Sequence, residues 1–243
     1  MRVLLAGAAG LVGRVTLDLL SERHEVTAFD IRAVQGCNNA TKGDVLDCAD
    51  VAAAMEGQDA VVNTIMAPET TYGRNGPGFT INVSGAYNLL EAARVHGIKR
   101  FVHTSSGAVH TGYPPPPETF LSYDLYPLKA SGPYALSKVL QEELARYFHE
   151  QHGMSIAVIR PWGIIDSERM VANNGKTVTG YYWGTIDRRD VASALVCALE
   201  AEDIGYECFY VMATPGGYKA ADVARTEERL GWKPRITFDA DLE

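Results

Sequence analysis

A doubly wound, mostly parallel α/β sheet is the fold class this sequence predicts. Three observations predict it: short apolar runs alternate with segments of helical period, a glycine-rich turn joins the first run to the first helix, and 47% hydrophobic content over 243 residues allows one large core. Val3–Ala6 opens the alternation as an unbroken apolar run, as a strand buried on both faces requires. Leu11–Ser21 follows with helical spacing, then a second strand at Val26–Phe29 and a helix at Cys48–Met55. Ala60–Ile65 is the next strand and Phe79–His96 the next helix, with Gly97 placed to end it. Arg100–Thr104, Gly132–His152, Ile156–Ile159 and Arg188–Ala201 continue as strand, helix, strand and helix. Two stretches break the pattern: TGYPPPPETF (111–120), where four prolines favour an extended, helix-free loop, and IDSERMVANNGKTVTGYYWG (165–184), which mixes turn signals with aromatics. Both are expected either as walls of a substrate pocket beyond the strand ends or as solvated surface loops. The chain divides into a nucleotide-binding core with its catalytic centre (1–160) and a small lobe with closing core elements (161–243), together one compact unit.

The formal net charge is −8 and the basic residues form no stripe, which argues against nucleic acid and anionic membranes as partners. Cys37, Cys48, Cys197 and Cys208 lie far apart with no CxxC pair, so neither a zinc site nor a disulfide framework is expected. The histidines His24, His96, His103, His110, His149 and His152 show no metal-like clustering, and no metal is expected. MRVLLAGAAG enters an apolar strand without a cationic leader, and no later run reaches membrane-spanning length; the expected location is cytoplasmic.

Gly7, Gly10, Leu11, Val12 and Gly13 form a GxxGxxG turn between strand and helix, where glycines let the backbone approach a pyrophosphate and the helix N-terminus offers free N–H groups. Asp30 ends the second strand about twenty residues on, placed to accept hydrogen bonds from an adenosine ribose; its alternative role is to cap a loop. With Ile31 and Arg32 beside it, this carboxylate favours NAD over NADP, whose 2′-phosphate it repels. Tyr134 and Lys138 stand i,i+4 on one helix face. Bringing a phenol from a pKa near 10 to about 7 takes roughly 4 kcal/mol, which a nearby ammonium helps to supply. Ser106 follows the strand Arg100–Thr104 at its ligand-facing end, where a hydroxyl can orient a carbinol or carbonyl oxygen.

With GAAGLVG, SSGAV, YALSK, KGDV (42–45), FTINV (79–83), RPWG (160–163), RDVA (189–192) and LGWKP (230–234), the chain resembles the extended short-chain dehydrogenase/reductase, or NAD-dependent epimerase/dehydratase, family along nearly its whole length, and within it the compact members similar to uronate dehydrogenases. The resemblance implies a Rossmann-type sheet with a reduced C-terminal substrate-binding lobe, and Ser106, Tyr134 and Lys138 as catalytic residues. It further implies that Asp44 and Val45 meet the adenine, that Ile65, Met66 and Ala67 line the cofactor, that Asn82 supports the centre, and that Pro161 and Trp162 lie near the nicotinamide. Ser106 rather than Ser105 matches the catalytic position. Gly107 and Arg169 are the implied substrate contacts, with Arg169 the positional match for a carboxylate-binding arginine. The usual tyrosine after SSGAV is His110 here, and the segment from Arg160 to Asp190 is shorter than in nucleotide-sugar epimerases.

The expected activity is hydride transfer between NAD and a carbinol or carbonyl carbon of a small sugar-like or other polar substrate. An NAD-dependent sugar epimerase that retains its cofactor is the alternative, and a non-catalytic NAD-binding redox sensor a third, which retention of Tyr134 and Lys138 disfavours. A dehydratase would carry acidic residues after the catalytic hydroxyl, where Gly107 and Ala108 stand. Tyr181, Tyr182 and Trp183 serve either as a sugar platform or as core. Val83, Tyr87, Leu90 and Arg94, with Leu140, Leu144, Tyr147 and Phe148, suggest a homodimer built on two helices from each chain.

Overall fold

The computed structural model describes residues 1–73 and 76–242. In chain order it contains β1 (Arg2–Ala6), α1 (Leu11–Ser21), β2 (Glu25–Asp30), β3 (Ala40–Lys42), α2 (Cys48–Met55), β4 (Ala60–Asn63), α3 (Gly78–Val95), β5 (Arg100–Thr104), α4 (Pro133–His152), β6 (Ser155–Pro161), β7 (Gly163–Asp166), β8 (Val171–Ala172), β9 (Thr185–Asp187), α5 (Arg188–Glu200), β10 (Tyr206–Val211), α6 (Pro215–Ala220) and α7 (Val223–Leu230). Seven strands form one sheet in the order β10-β6-β5-β4-β1-β2-β3, with every pairing parallel. The order reverses between β1 and β4, so a crevice opens at their carboxyl ends, where ligands of open α/β sheets bind.

Strand alternation divides the core in two. Val3, Leu5, Val26, Ala28, Val62 and Val102 face a layer that includes α1 and α5, which lie against each other. Leu4, Ala6, Phe29, Val61 and Phe101 face α2, α3 and α4. A strand covered on both sides has no polar face, which is why these runs read as continuously apolar. Asp47 caps α2 by accepting from the N–H groups of Ala49 and Asp50, and Asp187 caps α5 through Arg189 N.

Beyond residue 160, β10 becomes an edge of the main sheet and α5 covers its centre, so the C-terminal segment completes the core as well as building a lobe. The lobe is the sheet β8-β7-β9, in which β7 pairs antiparallel with β8 and parallel with β9. No helix among the described residues is long and apolar enough to cross a membrane.

Candidate active site

A cavity of about 960 Å³ lies along the crevice. At one end the chain turns from β1 into α1. Gly7 adopts φ +86, and a Cβ on Gly13 would stand 2.1 Å from the Gly7 carbonyl oxygen, so helix and strand meet this closely only because Gly13 lacks a side chain. No side chain caps α1 at Gly10, which leaves its first N–H groups free where Gly10, Leu11 and Val12 line the cavity. An anionic pyrophosphate fits this cradle. Gly13 itself lies behind the wall. Asp30, Ile31, Arg32, Asp44 and Val45 line the same end, and Ile65, Met66 and Ala67 the middle. The Asp30 carboxylate accepts from Ala9 N (2.9 Å) and from Arg32 N and Nε (2.9 and 3.1 Å), so it both ties down the glycine turn and holds the neighbouring guanidinium. Asn82 is fully buried and off the cavity wall; it accepts from Ala67 N (3.0 Å) and donates to Ser137 Oγ (3.0 Å) and to the Tyr72 hydroxyl, joining the middle of the crevice to α4.

At the other end Ser106, Tyr134, Lys138, Pro161 and Trp162 converge. Ser105 and Ser106 follow β5, and their hydroxyls part: Ser105 donates to the Glu142 carboxylate at 2.5 Å, inside the protein. Ser106 is left to the cavity, where its hydroxyl accepts from Ala108 N. Burial raises the Tyr134 phenol above its ordinary pKa, and the nearby Ser106 hydroxyl opposes that rise. Lys138 donates to the Thr104 carbonyl at 2.9 Å, and burial pushes it down to about 8 against the pull of Glu142. The phenol is therefore neutral. Burial disfavours the charged form of both side chains, and the Lys138 ammonium is turned to Thr104.

Tyr72, which the sequence did not single out, packs edge-on against Tyr134 with ring centroids 5.6 Å apart, and burial raises its phenol to about 12. Behind Lys138, one further turn along α4, Glu142 forms a fully buried pair with Arg160 at 2.7 Å. Spacing along α4 marks Glu142 as sharing a face with Tyr134 and Lys138, but its partner on β6 becomes visible only in three dimensions.

Other expected residues lie elsewhere. Gly107 does not line the cavity: a Cβ there would stand 2.0 Å from the Trp162 ring, so the missing side chain admits the indole that does line it. Trp162 leans on Trp183, ring centroids 4.7 Å apart, which gives Trp183 a packing role. Arg169 is off the wall, its side chain 77% exposed and 3.8 Å from Asp166. His110 is buried between the Tyr210 hydroxyl and the Leu125 carbonyl, and burial followed by the Arg160 charge lowers it to about 4. Of the two irregular stretches, 111–120 contributes nothing to this cavity among the described residues, whereas 165–184 sends Asn173, Asn174 and Lys176 into its wall.

The profile of the NAD dependent epimerase/dehydratase family matches residues 3–175. An L-arabinose 1-dehydrogenase (NAD(P)(+)) from Haloferax volcanii is 34% identical over 65% of this chain, a match spanning 65% of that relative, just under two thirds of its length. A uronate dehydrogenase from Agrobacterium fabrum is 30% identical over 98% of this chain and 86% of its own. Among solved structures, a variant of uronate dehydrogenase from Agrobacterium tumefaciens in complex with NAD superposes with a TM-score of 0.76 at 26% identity, covering 97% of this chain and 85% of that one.

Proposed function

The chain belongs to the NAD-dependent epimerase/dehydratase family, and from that premise we propose that it is an NAD-dependent dehydrogenase acting on a carbinol or lactol carbon of a small sugar-like substrate. One observation carries the proposal: a single cavity presents an uncapped helix N-terminus and Asp30 at one end and Ser106, Tyr134 and Lys138 at the other. NAD bound along it would supply the hydride acceptor. In this reading Gly7, Gly10, Leu11 and Val12 receive the diphosphate, with Gly13 behind them letting helix meet strand, Asp30, Ile31, Arg32, Asp44 and Val45 receive the adenosine, and Ile65, Met66, Ala67, Pro161 and Trp162 the remainder. Asn82 holds the crevice to α4. Ser106 orients the substrate oxygen, Tyr134 accepts its proton, and Lys138 stabilises the phenolate and a cofactor ribose.

Net oxidation is favoured over epimerisation by a specific contact: the turn after β8 reaches across the crevice to Met66, Asn173 Nδ2 donating to its Sδ at 3.4 Å, which narrows the space in which a ketone could rotate. The β7–β9 lobe is the part of residues 161–243 assigned to the substrate. Purified protein with NAD and a panel of aldoses, uronates and nucleotide sugars should accumulate reduced cofactor with a small sugar. Epimer formation without that accumulation would overturn the dehydrogenase reading.

A cytoplasmic setting and a homodimer belong to the same proposal. The four free thiols support a reducing compartment. Tyr87 and Tyr147, 46% and 52% exposed on the outer faces of α3 and α4, support a self-association surface, while Leu90 and Phe148 of the same stripes are buried in the core.

A further inference from the structure

We propose that Tyr72 is a positioning residue for the reaction: its ring holds the Tyr134 phenol in the direction from which it takes the substrate's proton. The inference rests on the dehydrogenase reading and adds to it a residue that does not line the cavity. Tyr134 needs such a hold. It stands in the first turn of α4, where Gly132 provides no side-chain cap and Ser131, Gly132, Pro133 and Leu136 are exposed. The helix fixes its backbone but not the direction of its ring, which turns about two side-chain bonds. Among the described residues Tyr72 is the one aromatic ring in contact with it, with centroids 5.6 Å apart and planes at 84°, the edge-on geometry that aromatic pairs favour.

Tyr72 is itself fixed from two sides. Ala67, Pro68 and Thr70 line the cavity, and the chain then makes a single turn over Glu69–Thr71, with Thr71 N donating to Pro68 O at 2.9 Å, which carries Tyr72 off the wall. A Cβ on Gly78 would stand 2.5 Å from Thr71 Oγ1, so the first turn of α3 closes on this segment only because Gly78 has no side chain. The Tyr72 hydroxyl accepts from Nδ2 of Asn82, a fully buried residue of α3. The same amide nitrogen donates to Ser137 Oγ at 3.0 Å, and Ser137 Oγ donates to the Tyr134 carbonyl at 2.7 Å. One amide therefore secures the backbone of Tyr134 through Ser137 and its ring through Tyr72. Tyr72 is no rival for the proton, because burial holds its phenol up at about 12. Its contribution is direction: proton transfer depends steeply on how the phenol meets the substrate oxygen, so a released ring slows turnover while ground-state binding stays.

The test compares wild type with Tyr72→Phe and Tyr72→Leu, after urea unfolding has shown each to be folded under the assay conditions. It measures kcat and KM for the sugar of the panel that wild type oxidises fastest, NAD affinity, and the 19F relaxation of 3-fluorotyrosine placed at residue 134, which reports motion of that ring whether or not the protein turns over. Tyr72→Leu should lower kcat about tenfold or more, leave KM and NAD affinity within about twofold, and mobilise the fluorinated ring; Tyr72→Phe, which keeps the edge-on contact, should retain most of the turnover and a fixed ring. Wild-type kcat in Tyr72→Leu would overturn the inference, as would unchanged 19F relaxation. A fall in NAD affinity and a rise in KM alongside kcat would overturn it too, by making Tyr72 a support of the cavity wall rather than of the phenol. A ring mobilised in Tyr72→Leu, in a protein whose wild type reduces NAD with no sugar, would uphold the hold on Tyr134 and overturn the dehydrogenase reading.

Discussion

Tyr134, Asp30 and Gly107 each act through a different piece of physics. Replacing Tyr134 by Phe removes the proton-transferring hydroxyl and keeps the ring against Tyr72; turnover should fall by about 10²–10⁴ with NAD affinity retained, as single-turnover absorbance and NAD titration would show. Asp30→Ala removes the group that repels a 2′-phosphate and at the same time frees Arg32, to which it is bound at 3.1 Å. NADP should then be used better and NAD worse; unchanged selectivity would mean that Asp30 serves only the Ala9 N–H. Gly107→Ala places a Cβ 2.0 Å from the Trp162 ring. Overpacking of this kind costs about 1–3 kcal/mol, and because the displaced indole lines the cavity, a raised sugar KM should accompany the lowered denaturation midpoint. That these residues gather along one crevice was legible in the sequence because their determinants are local: glycine spacing, a carboxylate at a strand end, an i,i+4 pair on a helix. The contact of Tyr72 with Tyr134 was not, since it joins residues far apart in the chain, which no local spacing encodes.

At the scale of elements, α4 presents Tyr134, Lys138 and Glu142 at successive i+4 positions, and β6 supplies Arg160 to the last of them. Arg160→Met would leave a carboxylate unpaired at 0% exposure, with only Ser105 to donate to it. That should cost about 3–5 kcal/mol in urea unfolding, and pairing the change with Glu142→Gln should recover much of it; purely additive losses would argue against a coupled pair. Boundaries of α1, α2 and β5 agree with the sequence pattern to the residue, because caps and turn residues mark them. β3, β7, β8 and β9 escaped it: strands of two to four residues carry too little periodicity, and their pairing partners define them. β10 escaped as well, since Glu207 interrupts its apolar run and is tolerated only because Arg225 and Arg229 meet it at 2.8 and 3.0 Å.

For the whole molecule, acid stability should be set by two buried histidines. Burial, then the Lys138 charge, pushes His103 down to about 3, and burial, then Arg160, pushes His110 to about 4. Both lie below the unfolded value near 6.5, so the unfolded chain binds more protons in that window and stability declines as pH falls through it, by about 3 kcal/mol for His110 alone. Urea midpoints at neutral pH and at about pH 4.5 measure the loss, which should shrink in His110→Gln whatever that variant's absolute stability. Light scattering tests assembly: a mass near 26.4 kDa would rule out the dimer, and Tyr147→Glu should split one that forms. The packing of α1 on α5 has a kinetic side. Those two helices are separated by more than half of the chain, so during synthesis the nucleotide-binding half emerges from the ribosome with Leu17 and Leu20 uncovered until residues 188–200 arrive. Such long-range closure slows folding and exposes apolar surface in transit. A nascent chain stopped before Arg188 should therefore be a chaperone client and a poor NAD binder, even though every residue assigned to the diphosphate has already been made.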